Sequence, residues 1–153
     1  MERVKCSVRS LREGDRGMLL LLAEETLHPL AEASGHPERY CTSDLLGLLD
    51  RAEVYVAEAE GETAGFLAVE PEGDALALRC LSVSPAFEAR GVANQLVDWA
   101  EGLAIDRKLS RLKARVPAGD HPSLHLYGGH GFTTAPDPEA PGILLVEKPL
   151  PVA

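Results

Sequence analysis

The chain has 153 residues, 45% of them apolar, and its 24 acidic against 15 basic residues give a formal charge of −9. That length suits one domain, residues 1–153, burying roughly two-thirds of its unfolded surface, and an acidic surface argues against nucleic acid or an anionic membrane as general partners. Cys6, Cys41 and Cys80 are odd in number with no C-x-x-C pair, and the charged start leads into no apolar run longer than the six residues Met18–Ala23. The expectation is a cytoplasmic protein with reduced thiols, no secretory leader and no membrane span.

In chain order, Arg3 to Arg9 alternates as a strand and Asp15 is placed to cap a helix through Leu27, which Pro29 limits. Residues 31–40 read as a loop, and Asp44 as the cap of a short helix carrying Leu45, Leu46, Leu48 and Leu49. Glu53 to Glu58 and Thr63 to Glu70 form a hairpin around Glu60-Gly61-Glu62, and a Pro71-to-Asp74 turn leads into a further strand, Leu76 to Val83. Two linked strand pairs in succession predict antiparallel pairing in this half.

Gly91 opens a helix with Val92, Leu96, Trp99, Leu103 and Ile105 near one stripe. Arg111 to Val116 alternates again, with Leu112, Ala114 and Val116 on one face and a basic row, Arg111, Lys113 and Arg115, on the other. That row suits either phosphate groups or, more simply, solvent. Asp120 or His121 caps a last helix with Pro122 in its first turn, Gly131 ends it, and Ile143 to Lys148 is a final strand after a proline-rich loop, Pro136 to Pro141.

The stretch from Leu76 to Asn94 carries the most information. A strand breaks at Ser84-Pro85 and passes through Glu88-Ala89-Arg90-Gly91-Val92-Ala93-Asn94 into a helix. Gly91 and Ala93 allow close backbone approach, and the helix N-terminus supplies N–H groups and a positive dipole end suited to a pyrophosphate. Downstream come Asp120, Tyr127 and Gly131-Phe132.

Together these resemble the GCN5-related N-acetyltransferase (GNAT) family. Its Val-x-Pro strand end, (Gln/Arg)-x-x-Gly-x-(Gly/Ala) turn, Asn, Tyr seven residues later and following Gly-Phe correspond to Val83-Ser84-Pro85, Glu88-x-x-Gly91-x-Ala93, Asp120, Tyr127 and Gly131-Phe132. Glu88 and Asp120 depart from the usual residues. Val8-Arg9 with Gly14-Asp15 looks like the family's opening. The implied fold is α+β in three layers, a mixed and mostly antiparallel sheet of about six to seven strands flanked by about four helices.

The resemblance further implies acetyl-CoA as cosubstrate, with Leu81 and Val83 giving backbone contacts to the pantetheine arm. Glu88, Ala89, Arg90, Gly91, Val92, Ala93 and Asn94 would form the pyrophosphate turn, and Asp120 would stand at the cofactor site. A carboxylate at Glu88 is electrostatically wrong beside phosphates unless it turns to solvent or pairs, and Arg90 is placed to supply the missing charge. Tyr127 would be the catalytic acid, protonating the departing thiolate.

The reaction so implied is transfer of acetyl to a primary amine of a small molecule or peptide by direct attack in a ternary complex. The alternative is a non-catalytic acyl-CoA-binding or regulatory module of the same fold. No base is evident: the fourth strand carries Arg79, Cys80 and Ser82, and the neighbouring Glu58, Glu70 and Asp74 read first as surface charges. Arg79 suits either an acceptor carboxylate or an ion pair. The acceptor would border Glu24, Glu25, His28, His36, Glu38 and Tyr40. His121 and His125 lack an H-E-x-x-H frame, so no metal is expected, and a homodimer is compatible with the sequence.

Overall fold

The computed structural model describes residues 3–24 and 42–151, with side chains described outside 42–46. Seven strands form one sheet: β1 (Ser7–Ser10), β2 (Glu53–Ala59), β3 (Glu62–Glu72), β4 (Ala75–Val83), β5 (Arg111–Pro117), β6 (Thr133–Pro136) and β7 (Ile143–Pro149). The helices among the described residues are α1 (16–24), α2 (Thr42–Arg51), α3 (Val92–Asp106) and α4 (His121–Gly129). Strand order is β1-β2-β3-β4-β5-β7-β6, antiparallel except between β4 and β5, which α3 joins as a helical crossover.

Local chemistry accounts for the hairpins. Glu60 and Gly61, at φ +53° and +78°, form the two-residue β2–β3 connection, a turn whose twist matches the flanking strands. Alternation then divides the sheet's two faces. Leu67, Val69, Leu76 and Leu112 pack with Leu96 and Val97 of α3 and with Tyr127 of α4. Phe66, Ala68 and Val56 pack on the other face with Leu19 and Leu22 of α1 and Leu48 and Leu49 of α2. The result is a helix–sheet–helix stack with a buried sheet at its centre.

A single irregularity in β4 sets which of its side chains face α3. In the β3–β4 ladder Ala68 opposes Cys80 while Val69 opposes Leu78, so Arg79 is an extra residue on β4. A bulge shifts side-chain parity. Leu76 and Leu78 therefore share the α3 face with Leu81 and Val83, while Cys80 packs against the α1–α2 face.

Several boundaries differ from the sequence reading. The first strand starts at Ser7, because residues 3–6 run as extended chain beside α3 without joining the sheet. Asp15 ends a 3-10 turn, Glu13–Asp15, and binds Arg9 and the Arg12 N–H instead of capping the helix after it. Asp44 lies within the first turn of α2. Trp99 and Ile105 lie outside the buried stripe, which runs Val92, Leu96, Val97, Ala100 and Ala104, and Trp99 tilts against Tyr55 at 5.6 Å. The predicted extent of α1 to Leu27, Pro29, the 31–40 loop and Cys41 fall outside the described residues.

Arg9 ties β1 to the turn after it. Its guanidinium donates to both Asp15 oxygens, at 2.7 and 3.0 Å, and its Nε donates to Glu58. The Arg9 hydrogen bonds, helped by the Arg12 N–H, hold the Asp15 carboxyl at about 2 despite burial. A depressed folded pKa stabilises above the unfolded value of about 3.9, and that stabilisation disappears as pH falls through the folded value. Asp15→Asn should therefore cost about 1–2 kcal/mol at neutral pH and flatten the stability–pH curve between roughly pH 4 and 2. Thermal melts across that range test this; an unchanged acid slope contradicts it.

Candidate active site

The site begins where two strands part. Parallel pairing of β4 with β5 covers three rungs, Ala75↔Arg111, Leu76↔Leu112 and Ala77↔Lys113. Beyond them β4 continues on β3 to Val83, while β5 continues on β7 to Pro117. Among the described residues, Leu78–Val83 consequently have no strand on their second edge. An edge of this kind can accept an extended polar chain as an added strand. Leu81 and Val83 lie on it, paired on the other side with Leu67 and Gly65.

Gly65 lets the strands approach at this end: a Cβ there would sit 2.5 Å from the Ser82 carbonyl oxygen. Past β4, a short 3-10 turn (Pro85–Phe87) leads to two left-handed residues, Ala89 at φ +61° and Gly91 at φ +85°. The first bond of α3 runs from the Gln95 N–H to the Gly91 carbonyl, at 3.2 Å. The N–H groups preceding Gln95 in the first turn thus lie outside the helix ladder, beside a left-handed residue, an arrangement that forms an anion-binding concavity.

Glu88 is exposed at the rim of this turn. Arg90 is engaged by the β2–β3 turn. Its guanidinium lies 2.8 Å from Glu60 Oε1 in the β2–β3 turn and stacks over Phe87 at 5.3 Å, so it braces the turn from outside. Val92 is buried in the core, and Ala93 and Asn94 follow in the first helical turn. The Asn94 side chain meets His130 Nε2 at 2.8 Å, linking α3 to the end of α4.

Asp120 caps α4. Its buried carboxylate accepts from the Ser123 N–H at 3.2 Å and from the Ser123 hydroxyl at 2.8 Å. Tyr127, on the same helix, is buried with its ring 5.0 Å from Phe132. Burial raises its phenol pKa above the ordinary value, and the nearby Cys80 and Asp120 add to the rise. Desolvation pushes the Cys80 thiol up to about 12, so at neutral pH it is a thiol and not a nucleophile. The structure thus brings Tyr127 to the sheet near the bulged segment of β4.

The carboxylates considered as bases are all engaged. Glu58 pairs with Arg9, Glu70 with Arg51 and Arg79, and Asp74 with Ser110 and Arg111. The basic row of β5 is ion-paired: Lys113 and Arg115 bind Glu72 at 2.7 and 3.2 Å, and Arg111 binds Glu147, with Arg111 and Arg115 still partly exposed to solvent. Those donors hold the Glu72 carboxyl at about 2. Arg79 is an ion-paired residue, 3.2 Å from Glu70 and 3.5 Å from Glu72. Of the predicted acceptor-side residues Glu24 is exposed on α1, while Glu25, His28, His36, Glu38 and Tyr40 lie outside the described residues.

Sequence reasoning passes over Arg3, Lys5 and Gln95. Together with Val4, Gly91, Asn94 and Asp98 they line an open pocket of about 310 Å³ beside the first turn of α3. The alternation of residues 3–6 is visible in the sequence, but the contact joins positions about ninety apart in the chain, which no local pattern signals.

The acetyltransferase (GNAT) family matches residues 19–132. The chain belongs to that family. As a GNAT protein it is an acetyl-CoA-dependent N-acetyltransferase, with acetyl-CoA as cosubstrate. Its fold is similar to that of the PaiA N-acetyltransferase from Thermoplasma acidophilum in complex with coenzyme A, with a TM-score of 0.79, 18% identity and coverage of 95% of this chain and 99% of that one. A ribosomal-protein-alanine N-acetyltransferase from Brucella melitensis gives 0.73 at 22% identity, covering 94% and 99%. A GNAT family acetyltransferase from Elizabethkingia anophelis with acetyl-CoA bound gives 0.72 at 18%, covering 95% and 98%. No curated protein matches the sequence. None of the GNAT chain's described helices is long and apolar enough to cross a membrane.

The capping geometry of Asp120 generates a test. Asp and Asn cap equally well, so Asp120→Asn should leave the melting temperature nearly unchanged, whereas Asp120→Ala should cost about 1 kcal/mol. Thermal denaturation of both variants decides it, and equal losses from both would contradict the capping role.

Proposed function

We propose that this GNAT protein acetylates a primary amine of a small molecule or peptide, the amine attacking the thioester carbonyl directly in a ternary complex. The observation that carries the reading is the buried Tyr127 phenol, packed in the core with Leu78 and Leu81 of β4, together with the strand edge that β5 vacates. On this reading the pantetheine arm lies along Leu81 and Val83, the pyrophosphate meets the backbone of residues 89–94, and the thioester comes to rest by Tyr127.

The proton inventory is set by the ion pairs. A neutral amine that attacks the carbonyl must lose one proton, and the thiolate that departs as the carbon–sulfur bond breaks must gain one. The two cancel. No external base is required once the amine arrives uncharged, which agrees with the engagement of Glu58, Glu70 and Asp74 by arginines. Because its pKa is raised, the Tyr127 phenol stays protonated throughout the neutral range and donates a hydrogen bond to sulfur as charge collects there.

Such a contact exists mainly in the transition state. Tyr127→Phe should lower turnover by about 10²- to 10⁴-fold while leaving acetyl-CoA affinity nearly unchanged. In the wild type, the inflection of kcat/KM against pH should move with the pKa of whichever amine is offered. CoA release with two amines of different pKa, and calorimetric binding of acetyl-CoA, supply the measurements. Equal turnover in both proteins removes Tyr127 from the chemistry, an inflection fixed regardless of amine points to a protein base, and binding without turnover across a broad amine panel favours an acyl-CoA-binding module.

A further inference from the structure

Glu88 leaves the phosphate turn short of positive charge. A chain of charge −9 must hold a polyanionic cosubstrate at a turn whose first residue is acidic and whose one arginine, Arg90, is bound to Glu60. Most other described arginines and lysines are likewise paired with carboxylates, from Arg9 near the start to Lys148 near the end. Arg3 and Lys5 are not. Among the described residues neither is ion-paired, and both line the same pocket of about 310 Å³.

Their placement is built into the fold. The Val4 N–H donates to the Arg90 carbonyl at 2.9 Å, the Gln95 side chain accepts from the Cys6 N–H at 2.9 Å, and its amide donates to the Val4 carbonyl at 2.6 Å. These three bonds clamp the extended segment 3–6 across the phosphate turn and the first turn of α3. Extended chain alternates its side chains. Val4 and Cys6 pack against the core, and Arg3 and Lys5 are exposed on the pocket side. The aliphatic stem of Arg3 runs over Gly91, with Cγ 3.6 Å and Cδ 3.7 Å from where a Cβ would sit.

We infer that Arg3 and Lys5 are phosphate-binding residues for the CoA-class cosubstrate, set in place by Gln95 and supplying from the N-terminal segment the positive charge that Glu88 does not. The inference rests on the assignment of the 89–94 turn to the cosubstrate phosphates. Two kinds of phosphate offer the same chemistry, the pyrophosphate and the ribose 3′-phosphate. Asp98, the one carboxylate among the described residues lining the pocket, lies 3.7 Å from His130 Nδ1.

The test is calorimetric affinity for CoA and for 3′-dephospho-CoA at low salt, comparing wild type with the Arg3→Ala/Lys5→Ala double variant. Lys108→Ala, an exposed cation at the opposite end of α3, controls for loss of a positive charge remote from the pocket. Melting without ligand should be unchanged in all three, since the altered side chains are exposed. The double variant should bind CoA at least about tenfold more weakly, with the loss shrinking as salt rises, whereas Lys108→Ala should bind like wild type. A loss seen with CoA but not with the dephospho form assigns the 3′-phosphate; equal losses assign the pyrophosphate. Wild-type affinity in the double variant, or an equal loss in Lys108→Ala, overturns the inference while leaving the acetyltransferase reading intact. A wild type that binds neither ligand overturns both.

Discussion

The separation of β4 from β5 after three rungs is the constraint on which the rest of the molecule depends. A parallel pair buried between helix layers would ordinarily continue its ladder, because an unpaired peptide group inside a protein costs about as much as a lost hydrogen bond. Here the ladder stops at Ala77, and the bulge at Arg79 comes immediately after it on the strand that is left alone. The bulge keeps Leu81 and Val83 on the α3 face and sends Cys80 to the other. The freed edge leads through the 3-10 turn into the left-handed residues before α3, and Tyr127 of α4 packs in the same core as Leu81 and Val83.

Electrostatics shape the two ends of that path differently. At the sheet, carboxylates and cations neutralise one another, as in the Glu72 cluster with Lys113, Arg115 and Arg79, and the described carboxylates Glu58, Glu70 and Asp74 are likewise ion-paired. On the proposed reading, proton transfer then involves the reactants and the Tyr127 phenol. At the turn, by contrast, cations that no described carboxylate neutralises sit on the N-terminal segment, held there by Gln95. On the inference drawn above, an acidic chain of this kind holds an anionic cosubstrate by local arrangement and not by overall charge.

Much of this is legible in the residues. The β2–β3 turn at Glu60-Gly61, the run into Gly91 and the Asp120 cap with Pro122 behind it are each set by chemistry within a few positions, and the structure has them where local rules put them. Even the bulge leaves a trace, since the apolar register of β4 changes parity between Leu78 and Leu81. The illegible features join distant positions. Arg79 reads equally well as an acceptor ligand or an ion-paired residue until Glu70 is seen beside it, the partners of Glu70 and Asp74 have no local signal, and Arg90 reads as a phosphate ligand until Glu60 is found 2.8 Å away. Trp99 falls in the helical stripe only when apolar character is counted before size, because small residues such as Ala100 and Ala104 form the contact with the sheet.

If the cosubstrate completes the sheet along the edge that β5 abandons, the β4 amides must report it. Amide hydrogen exchange with and without saturating acetyl-CoA is the most direct measurement. Added protection should concentrate at Leu78–Val83 and in the first turn of α3, with β1, β2 and β6 unaffected. Ligand binding that leaves the β4 amides exchanging at their free rate, or that protects a different part of the sheet, would contradict the account.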